Sequence, residues 1–192
     1  MKSTRILVVV IIAIVLAILG GRAVTAQDKQ DKYTLKVPDG LAFSEFRGYE
    51  TWQVVALSHT LAPEGGRGAM TSDQTLNVIV ANPVMIKAYQ AGIPGNGKPW
   101  PDGSKAAKIQ YIAKKSAEAP FNVAVPDTLK DVAFMAKDGK RFRDSRGWGY
   151  AMFNYDPASD RFTPDGTGAK CGATCHTIAK AKDYVFTTYG KR

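Results

Sequence analysis

The two cysteines of this 192-residue chain lie four positions apart, in the segment Cys171-Gly172-Ala173-Thr174-Cys175-His176. A pair this close in sequence would constrain the fold little as a disulfide, because closing a short loop removes little chain entropy. The chain must therefore be stabilised by a hydrophobic core, and its length is sufficient for one domain of ordinary size.

Two thiols followed directly by a histidine are typical of covalent haem attachment. The thiols bond to the two vinyl groups of the porphyrin, and the imidazole binds the iron. The usual spacing is C-x-x-C-H, and here it is one residue longer. The small residues Gly172 and Ala173 would let the segment close against the ring. We predict haem c attached through Cys171 and Cys175, with His176 as an axial iron ligand.

Three other interpretations of the same residues remain open from the sequence. An exported protein with two cysteines often forms a disulfide, although His176 would then be unexplained. A structural zinc site needs four ligands, and the motif supplies three. A redox dithiol would need cysteines that are accessible and reducible.

The N-terminus has the pattern of a secretory signal peptide over residues 1–26. Lys2 and Arg5 precede an apolar run from Ile6 to Leu19, and Val24-Thr25-Ala26 supplies the small residues of a cleavage site. We expect cleavage after Ala26 and export. The alternative is an uncleaved membrane anchor, which usually needs about 20 apolar residues.

The charge of the chain argues against a nucleic-acid partner. Removal of residues 1–26, with Lys2, Arg5 and Arg22 and no acidic residue, lowers the formal charge from +9 to +6. The remaining lysines and arginines are scattered, without an arginine-rich block. A moderately basic exported protein is better suited to an acidic protein partner or to small anions.

Hydrophobic periodicity predicts one α+β domain over residues 34–192, a mainly antiparallel sheet with a few packed helices, after a flexible segment 27–33. Five strands are predicted, the first of them mostly buried: Glu50–Thr60, Leu76–Ala81, Lys105–Tyr111, Asp131–Lys137 and Trp148–Tyr155. A helix should begin at Asn82 as its cap, with Pro83 in its first turn, and should end at Gly92. Residues 92–103 and 156–168 are predicted as loops.

Two residues outside the motif are candidates for a sixth iron ligand. His59 is the only other histidine, and Met135 has the side chain that many cytochromes c use. A lone histidine in a strand is more often a hydrogen-bonded structural residue, and a methionine is more often part of the core.

The block Cys171–Tyr189 resembles the corresponding block of the cytochrome P-460 family. Shorter motifs of the family stand in the same order along the chain: Asn82-Pro83, Pro101-Asp102-Gly103, Lys137-Asp138 with Lys140-Arg141-Phe142, and Gly147-Trp148-Gly149. The resemblance implies a periplasmic mono-haem c-type protein with a largely β fold, usually a homodimer. Members either oxidise hydroxylamine or, as cytochromes c′-beta, bind nitric oxide and similar gases.

The resemblance also implies a role for Lys108. In the hydroxylamine-oxidising members, a lysine five positions after the glycine of the Asp-Gly turn bonds covalently to the haem, and Lys108 follows Gly103 by five. Lys108 shares a strand face with Ala106 and Gln110, and if it points into the pocket, Lys105 on the other face would be the exposed lysine. The alternative is a solvent-facing Lys108 on an amphipathic strand.

Two positions depart from the hydroxylamine-oxidising pattern. Asn77 stands where those members have a distal arginine, and Ala133 stands where they have a proton-relaying carboxylate. Asp131, two residues earlier on the same strand face, could serve as the general base instead, or could be a strand-edge residue. Asn77 could donate a hydrogen bond to a bound nitrogen oxide.

We therefore expect a five-coordinate haem iron that binds or transforms hydroxylamine or nitric oxide and passes electrons to a separate redox partner cytochrome. A first alternative is a non-catalytic, gas-binding protein with an apolar aromatic cap, for which aromatic residues are available: Phe43, Phe46 and Phe134. A second alternative is a simple electron-transfer cytochrome with Met135 or His59 on the iron.

Overall fold

A computed structural model of the protein describes residues 29–60 and 74–190, so the predicted signal peptide lies outside the described residues. Six antiparallel strands form one sheet in which each strand pairs with the next along the chain: β1 (Gln53–Thr60), β2 (Thr75–Ala81), β3 (Lys105–Lys115), β4 (Ala124–Lys137), β5 (Trp148–Asp156) and β6 (Arg161–Pro164). The prediction of a single α+β domain with a mainly antiparallel sheet is confirmed. Within the described ranges, no helix combines the length and apolar character needed to cross a membrane.

In the described part of the chain, two α-helices accompany the sheet, α1 (Pro83–Gln90) and α2 (Gly168–Cys175). The predicted cap of α1 is confirmed, since Asn82 Oδ1 accepts a hydrogen bond from Met85 N at 3.1 Å. Asn82 also accepts from Lys105 N and donates to the Gly103 carbonyl, at 3.0 and 2.8 Å. The start of α1 is thereby tied to the start of β3, which fixes where β3 begins.

Several strand predictions need correction. The segment predicted from Glu50 begins at Gln53, and it is an exposed edge strand because only β2 pairs with it. β4 starts at Ala124 rather than at Asp131, and Ala124–Val125 pair with the distal end of β3. The predicted loop 156–168 contains the short strand β6, whose Phe162 is buried.

One face of the sheet carries a core rich in aromatic side chains. Phe43 and Phe46, from a 3₁₀ turn before β1, pack onto Phe134 of β4, with ring centroids 5.1 and 4.1 Å away. Lys105 also lies on this face, half-buried, with its Nζ donating to the Glu45 carbonyl at 2.7 Å. Lys105 is therefore not the exposed residue predicted from the sequence.

The N-terminal segment before β1 also packs against the domain. Residues Lys32–Thr34 form a 3₁₀ turn, and the amide of Gln30 makes hydrogen bonds of 2.9 and 2.7 Å with the backbone of Phe162. Gln30, which lies in the segment 27–33 predicted to be flexible, therefore has a defined hydrogen-bond partner on β6.

The opposite face of the sheet is covered by α1, by α2 and by the segment after α2. Buried side chains from these elements, from the loop before β3 and from the central strands form a second core, which includes Met85, Trp100, Met135, Trp148, Tyr150 and Val185. The cysteine–histidine motif lies on this face.

Candidate functional site

A cavity of about 330 Å³ lies between the second face of the sheet and the C-terminal part of the chain, within the size range of small-molecule sites. Strands β2 to β5 form its floor, and α2 with residues 185–187 forms its wall. Most of the lining is apolar: Ile79, Ala106, Ala133, Phe134, Met135, Tyr150, Ala151, Met152, Val185 and Phe186. The lining also contains Lys108, Asp165, Cys171, Cys175 and His176, so that the predicted motif and the predicted lysine meet in one cavity.

The longer spacing of the cysteines is explained by α2. Cys171 and Cys175 are four residues apart on this helix, so both thiols project from one helical face, and both line the cavity. Side chains at this spacing are about 5–6 Å apart at Cβ, whereas a disulfide needs about 3.5–4.5 Å. Both cysteines are free and exposed. The geometry disfavours the disulfide and presents two parallel thiols to one ligand.

Close packing of α2 against β5 sets the distance between this helix and the sheet. A Cβ atom added at Gly172 would lie 2.6 Å from Cβ of Tyr150, closer than side-chain carbons approach one another. Only glycine permits this close approach to Tyr150. From the sequence, the small residue at this position was expected instead to let the segment close against the porphyrin ring. Gly172 therefore fixes how far the two cysteines stand above the sheet.

His176 begins the 3₁₀ segment His176–Lys182 that follows α2. Its Nδ1 lies 2.6 Å from the carbonyl oxygen of Tyr184, and because a carbonyl can only accept, Nδ1 carries the proton. Nε2 of the neutral ring then has a free lone pair, as an iron ligand needs. Burial lowers the pKa of His176, and the charge of Lys108 acts in the same direction, against the Tyr184 hydrogen bond. The rings of Tyr150 and Phe186 flank the imidazole, with centroids 4.9 and 4.8 Å away.

The Tyr184 carbonyl is held in place by its neighbour Asp183. The Asp183 carboxylate accepts from Lys137 Nζ and from Trp100 N, both at 3.0 Å. The indole Nε1 of Trp100 also donates to the Lys182 carbonyl at 3.2 Å. Buried Trp100 and the Lys137 side chain of β4 therefore anchor the loop that orients His176.

Lys108 lines the cavity from the middle of β3. It pairs with Ile79 on β2 and with Ala133 on β4, and Ala133 pairs with Met152 on β5. Because side chains alternate along strands, these four residues form one row across the cavity floor. An ammonium group in so apolar a row is unfavourable unless it has a hydrogen-bond or ionic partner or forms a covalent bond.

Asn77 and Asp131 lie on the same sheet face as Lys108, one row further along the strands. Both are buried, at 5% and 3% exposure, and both fall outside the cavity lining that the structure describes. The amide nitrogen of Asn77 donates to Ser58 and Thr60 of β1, with distances of 3.2 Å to each hydroxyl. The structure therefore places Asn77 and Asp131 next to the cavity rather than in it.

The structure distinguishes between the two candidates for a sixth iron ligand. His59 is exposed on the edge strand β1 and lies outside the described lining, which agrees with the structural role that the sequence favoured over iron ligation. Met135 is buried and lines the cavity in the row next to Lys108. Of the three aromatic residues available for a cap, Phe43 and Phe46 belong to the core on the other face, whereas Phe134 belongs to that core and also contributes to the cavity lining.

Asp165, the acidic residue of the described lining, was not predicted from the sequence. Its Oδ1 accepts from the backbone N and the hydroxyl of Thr167, at 2.8 and 2.9 Å, and this turn leads into α2. An Asp two residues before a threonine at a helix start is a recognisable Asx-turn pattern. That pattern predicts the turn, but it does not predict that the turn lies beside the cavity.

The residues of the cavity fit a c-type haem. Two parallel thiols, an imidazole with a free Nε2 and an apolar floor are what attachment, axial ligation and burial of a porphyrin require. The zinc alternative has no support, because no group of three or more His, Cys, Asp or Glu side chains in residues 29–60 and 74–190 is arranged to hold a metal ion.

Comparison with protein families gives a match over most of the chain. The sequence model of the family described as Cytochrome P460 matches residues 46–187, which is most of the chain and all of the sheet. A comparison with curated proteins finds no match.

Proposed function

Because this chain belongs to the cytochrome P460 family, whose members are haem proteins, we propose that it is a periplasmic mono-haem cytochrome that binds or oxidises hydroxylamine or nitric oxide. The observation that carries the proposal is the convergence of Cys171, Cys175 and His176 on one apolar cavity that also contains Lys108. When bound, the haem supplies an iron that takes the nitrogen ligand and exchanges electrons with a redox partner cytochrome.

Each residue of the motif has a separate task in this proposal. Cys171 and Cys175 hold the porphyrin edge through thioether bonds, and α2 sets their spacing. His176 binds the iron through Nε2, with its ring fixed by the Tyr184 carbonyl and by the flanking rings of Tyr150 and Phe186. The hydrogen bond from Nδ1 would raise the basicity of Nε2, and the flanking rings would prevent rotation of the imidazole.

Lys108 is proposed to bond covalently to the porphyrin from the opposite wall of the site. It extends from the sheet floor, whereas the cysteines project from α2, so the two attachments would hold the ring from two sides. Such a bond would replace an N–H bond of Lys108 and a C–H bond of the ring, with the two electrons passed to an external oxidant, and it would distort the macrocycle and alter its electronic properties.

The experiment that tests the proposal is an intact mass and an optical spectrum of the exported, purified protein. The expected mass is that of residues 27–192 plus one covalent haem. Haem should remain attached under denaturing conditions and should map to the peptide that contains Cys171 and Cys175. A protein purified from haem-replete cells without bound haem would contradict the proposal.

A second candidate function is gas binding without catalysis, as in cytochromes c′-beta, and the apolar row Ile79, Ala133 and Met152 beside Lys108 favours it. Hydroxylamine oxidation with an added electron acceptor distinguishes the two. Consumption of hydroxylamine supports the enzyme, and nitric oxide binding without consumption supports the gas-binding protein. Failure of the ferrous haem to bind carbon monoxide or nitric oxide would favour a sixth ligand, for which Met135 is the residue in place.

A further inference from the structure

Three cationic side chains and one exposed apolar side chain surround the loop that orients the proposed iron ligand. Lys180 and Lys182 lie in the 3₁₀ segment after α2, and Ile178 of the same segment is 83% exposed. Arg146, from the segment between β4 and β5, is exposed and lies over the ring of Tyr184, with its Cζ atom 5.4 Å from the ring centroid. We refer to Arg146, Ile178, Lys180 and Lys182 as the proximal patch.

Backbone and side-chain hydrogen bonds hold the parts of the proximal patch together. Asp183 N donates to the Lys180 carbonyl at 3.1 Å, which closes the turn before Tyr184. Lys137 Nζ binds the Asp183 carboxylate and the Arg146 carbonyl, at 3.0 and 3.2 Å. Because one ammonium group bridges the two segments, the segment of Arg146 is fixed against the turn that carries Lys180, and the two belong to one surface.

The positive charge of the proximal patch is not neutralised by its neighbours. In the described part of the chain, none of its three cations forms an ion pair. Asp183 is already paired with Lys137, and the exposed Asp144 is offset by the exposed Arg143 next to it. The proximal patch therefore presents net positive charge to solvent, which attracts an acidic partner over a distance.

The far end of the sheet differs from the proximal patch in charge. β5 begins shortly after Arg146, and its nine residues extend away from it by roughly 26 Å, at about 3.3 Å per residue. At that far end, side chains of both signs are mixed: Lys115, Glu118, Asp156, Asp160 and Arg161. An acidic partner would therefore be steered toward the proximal patch rather than toward the far end.

One residue connects the proximal patch with the proposed iron ligand. The ring of Tyr184 lies beneath Arg146, and the carbonyl oxygen of the same residue accepts the hydrogen bond from His176 Nδ1 at 2.6 Å. Electron transfer slows steeply with distance, so a redox partner has to dock where bonds lead directly to the haem. The proximal patch meets this requirement, and a partner there leaves open the iron position opposite His176, where a nitrogen ligand would bind.

We propose that the proximal patch docks an acidic electron-transfer protein that exchanges electrons with the haem through Tyr184 and His176. In each transfer the iron loses one electron and the redox centre of the partner gains it, so no further reactant is needed. Ile178 supplies an apolar centre and the cations supply a charged rim, which suits a small, transient interface. The electron transfer rests on the proposed function, whereas the docking of an acidic protein does not.

The test is the reoxidation of the reduced, haem-loaded protein by plant plastocyanin, an acidic blue-copper protein, in a stopped-flow spectrometer. At an ionic strength of about 0.1 M, charges are screened beyond about 10 Å. Lys180→Glu should then lower the second-order rate constant about tenfold. Lys115→Glu is the matched control, because it makes the same change of charge at the far end of β3, and its rate constant should stay unchanged. Equal slowing in both variants, or none in Lys180→Glu, would overturn the proposal.

Ile178→Ser tests whether the partner is a protein rather than any anion. The substitution removes the apolar centre of the proximal patch and leaves its charge unchanged. It should slow the reaction with plastocyanin several-fold, whereas the reaction with hexacyanoferrate(III), a small anion, should keep its rate. An unchanged rate with plastocyanin would contradict the docking of a protein on this surface.

Docking also has a readout that does not require haem. The NMR signals of ¹⁵N-labelled, copper(I)-loaded plastocyanin should shift on addition of the purified protein or of its Lys115→Glu variant, but not on addition of Lys180→Glu. With this result, absence of haem would contradict the proposed function and leave the docking surface standing. Binding only to phosphatidylglycerol vesicles, or only between copies of this chain, would overturn the proposal in favour of those occupants.

Discussion

The Nδ1 atom of His176 lies 2.6 Å from the carbonyl oxygen of Tyr184. This hydrogen bond fixes the ring tautomer, and it depends on a loop whose residues Asp183 and Tyr184 both have positive φ, at 47° and 65°. Side chains other than glycine rarely adopt this conformation, so the contacts of Asp183 with Lys137 and Trp100 must hold it. The orientation of the proposed iron ligand is therefore determined by residues distant from the motif.

Asp183→Ala should destabilise the fold by about 3 kcal/mol, because it leaves the largely buried Lys137 ammonium without its partner. Chemical denaturation measures this loss. Asp183→Asn is the control, since asparagine tolerates positive φ and retains an acceptor for Trp100 N. We expect the alanine variant to lose more stability than the asparagine variant. Similar losses of stability in the two variants would mean that Asp183 stabilises the fold through its charge alone.

Gly172→Ala should destabilise the protein by about 1–3 kcal/mol, the usual range for overpacking. The added methyl group would meet Tyr150 at 2.6 Å and would displace α2 from β5. The fraction of protein with covalent haem should fall in parallel, as measured by mass spectrometry. Gly166→Ala is the matched control, because a Cβ there meets nothing within 4 Å. Normal attachment in Gly172→Ala would contradict a role for this close packing.

The haem-free chain should contain two reactive thiols without prior reduction. Cys171 and Cys175 are exposed on one helical turn, at a spacing that a disulfide cannot span while α2 is intact. Alkylation followed by mass spectrometry should add two labels to the haem-free protein and none to the haem-loaded protein. A single species resistant to alkylation until reductant is added would favour the disulfide.

Lys108→Ala should convert the optical spectrum to that of an ordinary c-type haem if Lys108 is bonded to the ring. Haem should then map only to the peptide of Cys171 and Cys175, whereas the unsubstituted protein should also yield haem on the peptide that contains Lys108. Lys105→Ala is the control on the same strand, because Lys105 donates to Glu45 on the other face. An ordinary c-type spectrum before substitution would exclude the bond.

The stability of the haem-free chain should depend on pH through Asp131. Burial raises the pKa of Asp131 above its ordinary value of 3.8, so between these two values the folded state binds more protons than the unfolded state. This stabilising contribution is complete below pH 3.8 and is lost as the pH rises through the folded-state pKa. Asp131→Asn should therefore gain stability relative to the unsubstituted protein as the pH rises, as denaturation at several pH values would show.

Asp127 provides a control of opposite sign for that pH series. Its hydrogen bond with Lys114 lowers the pKa of this exposed carboxyl group, so its contribution is lost as the pH falls. Asp127→Asn should not gain stability at neutral pH. A pH dependence identical in Asp131→Asn and in the unsubstituted protein would contradict a shifted Asp131.

Much of the sheet was predictable because local signals are strong there. The alternation Ala106-Lys108-Gln110 defined a strand face, and Asn82-Pro83 defined the start of α1. The edge position of β1 was not predictable, because Val54 and Leu57 are apolar yet largely exposed. The strand β6 was missed, since its four residues follow a turn-rich segment and gain their order by pairing with β5.

The sequence by itself determined which reactive groups this protein has and how they are spaced: two thiols and a histidine in one short segment, and a lysine at a fixed distance after an Asp-Gly turn. The number of residues between these groups is a local property of the chain, so it can be identified without knowledge of the fold. The tertiary structure alone decided which groups face one another. It placed His59 on an exposed edge strand and Asp165 in the cavity, and it gave His176 its carbonyl partner. These relationships depend on sheet register and on packing between residues far apart in the chain, which no local pattern encodes.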